Sequence, residues 1–439
     1  MFKGMKLATK LAMSFGVMVV IAGVLGYMGW SSLGTVVARV ENADDANRLL
    51  KFAKDCRIQE KNFIMRGDKK FQEENDETMA AIYKQIDETK AKFRDPADIN
   101  TITEVKGKGQ AYKKSFDGWI DLWEKQQKNA EAMVTNARAF LDECEAMRVK
   151  EKADAAVVLD VQASIAAGSR DHLVWANAVK DFLSDKSATL DVQTDGHQCA
   201  FGKWLESAKF AEQLPACGQQ FREIMDEIKQ KHLGLHASAI DVQKARTTDS
   251  DTSLDLYKQK TAPLLKDNLE AFAKLEEIIS ARVIDKLGKA DDANRLIKWA
   301  KDTRIQEKNF MMRGDKKYQT ENDATMKSIY GLCDDLNTRF MDPKNREQVA
   351  TIRAAAEKYK ENFDGWISQY DQQKKEEEAM VAAARDFGSG SDELRQGQKE
   401  KMTSAAAFST QLMLILAAAG VILGTILAFV ITRGITKPL

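Results

Sequence analysis

The amino-acid sequence predicts an all-α protein. Long helical bundles are carried on two transmembrane helices, with a smaller helical bundle inserted between two copies of one unit. Three observations carry this reading. Only five prolines interrupt 439 residues, and 30% of the chain is charged, in long stretches rich in Ala, Glu, Lys and Leu. An apolar run near each end is long enough to cross a bilayer. The block from Ala43 to Tyr83 returns almost unchanged from Ala290 to Tyr330, at an offset of 247 residues, which marks an internal duplication.

Composition excludes some function classes. Lys and Arg number 66 and Asp and Glu also 66, so no basic excess draws the chain to nucleic acid. The five cysteines, Cys56, Cys144, Cys199, Cys217 and Cys333, are odd in number and irregular in spacing, unlike a disulfide framework. A Cys199–Cys217 bridge is conceivable in an oxidising compartment, where it would compete with metal for the same sulfur.

In chain order, residues 1–10 carry Lys3, Lys6 and Lys10 and are expected to be cytoplasmic. Residues 11–30 form the first transmembrane helix. The apolar stretch exceeds that of a cleaved signal peptide, and no small-x-small site follows it. The second transmembrane helix covers 410–432, with its apolar run from Leu412 to Thr432, and Arg433 and Lys437 follow. Cations flank the outer ends of both spans, so both ends should face the cytoplasm. Residues from about Ser31 to Ser409 then lie across the bilayer, in the periplasm of a bacterial inner membrane.

The repeats occupy 31–154 and 246–409, and each reads as three helices. The first ends at Arg66-Gly67-Asp68 or Arg313-Gly314-Asp315, where glycine takes the left-handed position after a helix. The second stops at Asp95-Pro96 or Asp342-Pro343, and proline opens the third. On the third, Phe116, Trp119 and Trp123 share one face, as do Phe363, Trp366 and Tyr370, a stripe expected in a core. The first helix breaks its own pattern. Leu49, Phe52, Cys56 and Phe63 form an apolar seam that Gln59 interrupts, between Arg57, Glu60 and Lys61; the second copy places Gln306 among Leu296, Trp299, Thr303 and Phe310, beside Arg304, Glu307 and Lys308. Two readings stand. One is a partnered polar layer that sets helix register, with Arg57–Glu60 as a surface pair. The other is a ligand pocket in which Arg57 and Arg304, with Arg66 and Arg313, grip a carboxylate bidentately.

Residues 155–245 separate the copies, and all four histidines lie between Asp171 and His236. His232 and His236 are four apart in the helical pattern from Glu223 to Ala239, so both rings project from one face as a chelating pair. Cys199 lies in His197-Gln198-Cys199-Ala200-Phe201-Gly202-Lys203-Trp204-Leu205, and His172 precedes Trp175. One thiolate and three imidazoles complete a closed tetrahedron. Ordinary amphipathic histidines on helix surfaces are the plainer alternative.

The order His172 with Trp175, Cys199-x-x-Gly202-x-Trp204-Leu205 and His232-x-x-x-His236 resembles the chemoreceptor zinc-binding domain. The resemblance implies an inserted small four-helix bundle that holds zinc through His172, Cys199, His232 and His236. His197 has no place in that set and reads as a surface residue, or as an outer partner to the site. The family's domain usually sits in cytoplasmic regions, whereas the flanking spans here place it outside. Arg57-x-x-Glu60-Lys61-x-Phe63 and its repeat at Arg304, within the two-span layout, resemble the helical bimodular sensor domain, whose members bind small organic acids. The tail from Ile431 to Leu439 resembles a transmembrane helix running into a HAMP linker at 433–439, which implies an output domain beyond Leu439. Together these are similar to the sensory half of a methyl-accepting chemotaxis receptor, which implies a homodimer. A histidine kinase or a cyclase are alternative outputs.

The expected function is therefore sensing, of zinc or of oxidants that attack the zinc thiolate. The alternative leaves zinc structural and gives the duplicated bundles a small organic acid. A zinc hydrolase is not expected, because four protein ligands leave no open position and Leu233, not Glu, follows His232.

Overall fold

Helix ends in this chain sit where local chemistry puts them. The computed structural model describes residues 5–436, so Lys3, Lys437 and the close of the Ile431–Leu439 tail fall outside it. Among the described residues the elements are α1 (Leu7–Arg66), α2 (Lys69–Lys92), α3 (Pro96–Ser184), α4 (Ala200–Leu205), α5 (Ala208–Cys217), α6 (Gln219–Thr248), α7 (Ser250–Leu256), a π-helical turn (Tyr257–Thr261), α8 (Ala262–Arg313), α9 (Lys316–Arg339) and α10 (Pro343–Thr436). No strand occurs among them. Gly67 and Gly314 end α1 and α8 at φ of 64° and 62°, a conformation that costs glycine nothing. Asp68 and Asp315 then cap α2 and α9 by accepting the amides of Lys70 and Lys317. Asp95 and Asp342 accept the amides of Ala97 and Lys344, opening α3 and α10 with proline in the first turn.

The chain divides into two compact units. One comprises the residues up to Lys128 together with those from Trp366 onward; the other is Asn129–Gly365. In the first, Leu49, Cys56 and Phe63 of α1, Met79, Ile82 and Ile86 of α2, and Ile102, Tyr112 and Phe116 of α3 are buried together. The fourth side comes from Met380, Ala384, Phe387 and Leu394 of α10. Phe63 meets Phe116, Trp119 and Trp123 edge-on, with ring centroids 5.3–6.1 Å apart. In the second unit Phe310 and Phe363 repeat the first of these contacts at 5.9 Å.

Two features depart from the sequence expectation. The third helix of the first repeat does not stop with the repeat. It continues to Ser184, so α3 is 89 residues long and carries His172 itself. Its buried Met133, Ala137, Phe140, Cys144 and Met147 stand 247 residues before Met380, Ala384, Phe387, Ser391 and Leu394, which are also buried. The duplication therefore extends further along the third helix, where identities thin out but the buried positions persist. Second, the polar member of the seam is Glu60 rather than Gln59. The buried positions of α1 run Leu49, Ala53, Cys56, Glu60, Phe63, which keeps the 3.6-residue period; Gln59 sits beside them and donates to Thr78 at 3.0 Å. Glu307 takes the same place in α8, and Gln306 donates to Thr325 at 3.1 Å.

The insert lies within the second unit. The end of α3 and the helices α6 and α8 bury Val158, Ile165, Phe221, Met225, Ile228, Phe272 and Ile279 in one cluster. Trp175, Val179, Leu235, Ala239, Val242 and Tyr257 form another. The π turn precedes Pro263, whose missing N–H prevents an unbroken α-helical ladder there.

Two helices, α1 and α10, contain stretches long and apolar enough to cross a membrane. Their side chains face outward, as for Phe15, Val19, Leu414 and Phe429. In a soluble protein such exposure would be costly; against lipid it is not.

Candidate metal centre

Four side chains from three segments converge in the insert. The donor atoms of His172, Cys199, His232 and His236 all lie within 4.8 Å of one another. His172 comes from α3. Its Nδ1 hydrogen bonds to the carbonyl of Gly168 one turn earlier, at 2.6 Å, and Gly168 has no side chain because the Phe201 ring lies 2.7 Å from where a Cβ would stand. His232 and His236 come from α6, one turn apart, with ring centroids 4.8 Å apart. His236 Nδ1 donates to the carbonyl of Gln193 at 2.7 Å, and Trp175 donates to the same oxygen at 2.8 Å.

Cys199 caps α4, its sulfur accepting the amide of Gly202 at 3.2 Å. At Gly202 an added Cβ would lie 1.9 Å from the carbonyl oxygen of Gly196, so only glycine fits. An added Cβ at Gly196 would in turn lie 2.8 Å from Leu233 Cδ2 and 3.4 Å from His232 Cε1. This close approach brings the sulfur to 3.2 Å from His232 Nε2. Phe201, Phe272 and Trp175 wall the group with aromatic rings.

Burial sets the protonation states. It lowers the pKa of His172 and His236, and it brings His232, with its imidazole neighbours, down to about 3. All three rings are therefore neutral at physiological pH. Burial raises the Cys199 thiol, so a metal binding there displaces a proton.

The fit to a metal follows from the hydrogen bonds. Because Nδ1 of both His172 and His236 donates to a carbonyl, each Nε2 carries a lone pair and no proton. Those two Nε2 atoms lie 3.1 Å apart. Two lone pairs at that distance repel unless a cation stands between them. Tetrahedral zinc with ordinary Zn–N and Zn–S bonds has ligand separations of about 3.3–3.6 Å. The observed 3.1 and 3.2 Å are near these values, and the sulfur and nitrogen donors suit zinc.

His197 stands apart, exposed and hydrogen bonded through Nδ1 to Glu206, whose carboxylate raises its pKa. All five cysteines are free thiols; Cys217 is buried and directs its sulfur to the carbonyl of Gln213. Sequence reasoning missed Gly168, Gly196, Gln193 and Phe272. A glycine inside a helical pattern, four residues before His172, was the one available signal.

The other six candidates take different places. Arg57 is bound to Glu60 through the carboxylate, and Arg304 to Glu307. Arg66 lies over the Phe71 ring at 5.5 Å. Arg313 donates to the Tyr318 hydroxyl at 2.9 Å. Around Glu60, Asn75 and Tyr112 both donate to the carbonyl of Cys56, at 3.0 and 3.1 Å. Asn322 and Tyr359 do the same to Thr303, at 3.1 and 3.0 Å. The same polar layer is thus built in both units.

Comparison with known proteins agrees with these features. The helical bimodular sensor domain matches residues 30–175 and 281–421, well over half of the chain. The chemoreceptor zinc-binding domain matches residues 172–243, which contain all four clustered donors, so zinc is the metal of this domain. No curated protein matches the sequence. The chain belongs to the helical bimodular sensor domain family and carries a chemoreceptor zinc-binding domain between the two halves of that match.

Proposed function

We propose that the chain is the sensory part of a transmembrane chemoreceptor, held as a homodimer in a bacterial inner membrane with its large domain in the periplasm. Zinc is held by His172, Cys199, His232 and His236, and the stimulus is zinc itself or an oxidant of the Cys199 sulfur. The observation that carries the reading is the pair of proton-free Nε2 atoms 3.1 Å apart beside a thiol. Bound zinc supplies the positive charge that this arrangement lacks. Sensor domains of both families are non-catalytic, and a Cys/His3 set leaves no position for a reacting water. Lys6, Lys10 and Arg433 support the orientation. The ligands belong to α3, the α4 cap and α6, so occupancy decides whether three segments are tied together. The change this can drive is bounded by the difference in binding free energy between the two states.

Full-length protein in detergent, purified without added metal and then titrated with zinc, tests the reading. We expect one tightly held zinc per chain, lost in a Cys199→Ala, His236→Ala double variant. Wild-type affinity no better than that of the variant would sink it.

A second reading gives the small-molecule role to the polar layers, with Arg57, Gln59 and Arg66, or Arg304, Gln306 and Arg313, receiving an organic acid. It is favoured by the repetition of the layer and by the unpartnered buried oxygens of Gln59, Asn75, Gln306 and Asn322. An acid would have to displace Glu60 from Arg57, or Glu307 from Arg304.

A further inference from the structure

The metal group is shielded unevenly. His172, His232 and His236 are 1–2% exposed, while Cys199 is half-buried. A cleft of about 270 Å³ reaches the group from solvent, and of the four donors only His232 lines it. His197 and Glu206 line it too, both about half exposed and hydrogen bonded to each other. The loop that presents His197 is pinned, its amide donating to Asp195 at 2.9 Å. Lys229, the cation on the same rim, is drawn to Asp226 at 3.2 Å.

An imidazole and a carboxylate at the mouth of a cleft, with a metal ligand on its inner wall, are the donors a partly hydrated divalent cation meets on its way in. We propose that His197 and Glu206 form an outer cation site through which zinc passes to and from the buried group. This inference rests on the four-residue zinc site proposed above and adds the route by which it fills and empties. Dehydration is then divided: the outer pair replaces some waters, and His232 with Cys199 replaces the rest. Because the outer pair is vacated once zinc is seated, it changes the rates of uptake and release together and leaves the affinity unchanged.

The test measures transfer of zinc between full-length protein and a fluorescent chelator by stopped flow, in both directions, with an equilibrium titration of each variant. In His197→Gln, Glu206→Gln we expect uptake and release both slower by about tenfold, with affinity unchanged. Gln230→Trp, which fills the cleft and leaves both outer donors in place, should slow both rates as well. Unchanged rates in the double variant would overturn the proposal. So would a loss of affinity carried by faster release alone, since that is the signature of a residue that braces the site. Failure of the wild type to bind zinc at equilibrium would remove the buried site and the outer one with it, and the titration shows this separately.

Discussion

Glu60 and Glu307 are each 1–2% exposed, and burial raises the pKa of both against the pull of Arg57 and Arg304. The sign follows directly. A carboxyl group with a raised pKa in the folded state adds no penalty at low pH, where both states are protonated. As pH climbs through the ordinary carboxylate range the unfolded chain ionises first, and stability falls until the folded pKa is passed. Raising the pH from about 4 should therefore cost wild type more stability than Glu60→Gln, Glu307→Gln, so the denaturation midpoint of wild type should fall relative to that of the variant. A variant with the same slope as wild type would refute the assignment. Residue identity made the metal donors readable, because few side chains bind zinc and all four histidines share one stretch. The carbonyls of Gln193 and Gly168 were not readable, since every residue offers one. Gln59 and Glu60 differ by one step in helical phase, a difference that only the packed core resolves.

Lys286 of α8 is the clearest case of an element depending on a neighbour. Its ammonium lies 3.0 Å from Glu151 and 2.7 Å from Asp154, both on α3, and Glu151 is fully buried. Removing the cation strands a carboxylate in a place water does not reach. Lys286→Met should lower stability by about 3 kcal/mol in urea denaturation, and adding Glu151→Leu should restore most of it. An additive double variant would show that the two do not interact. Helix ends were legible because Gly67, Asp68, Asp95 and Pro96 act locally, within a turn. The continuation of α3 past residue 154 was not, because a junction made inside a helix needs no breaker and leaves no mark.

For the whole molecule, a ligand that binds only the folded state adds stability according to its saturation. Free zinc at a thousandfold its dissociation constant should contribute about 4 kcal/mol, removed by chelation. Thermal or urea unfolding of the full chain with zinc and with chelator measures this, and Cys199→Ala should show no difference between the two. An equal response in wild type and variant would place the stabilising metal elsewhere. The two apolar stretches, the duplication and the insert were all visible as changes of composition or as self-similarity, signals that survive without coordinates. Further along the third helix the duplication keeps fewer identities, such as Glu131-Ala132-Met133-Val134 and Glu378-Ala379-Met380-Val381, and burial marks it more fully because hydrophobic positions outlast residue identities.

The unbroken run of α3 from the first repeat into the insert bears on how such sensors can be recombined. A chimaera that drops the insert, or accepts one from a relative, must splice α3 in mid-run. Each splice rotates everything downstream by about 100° per residue gained or lost. Deletions matched to whole turns keep the downstream faces in phase, and a graft one residue out of step turns buried side chains toward water.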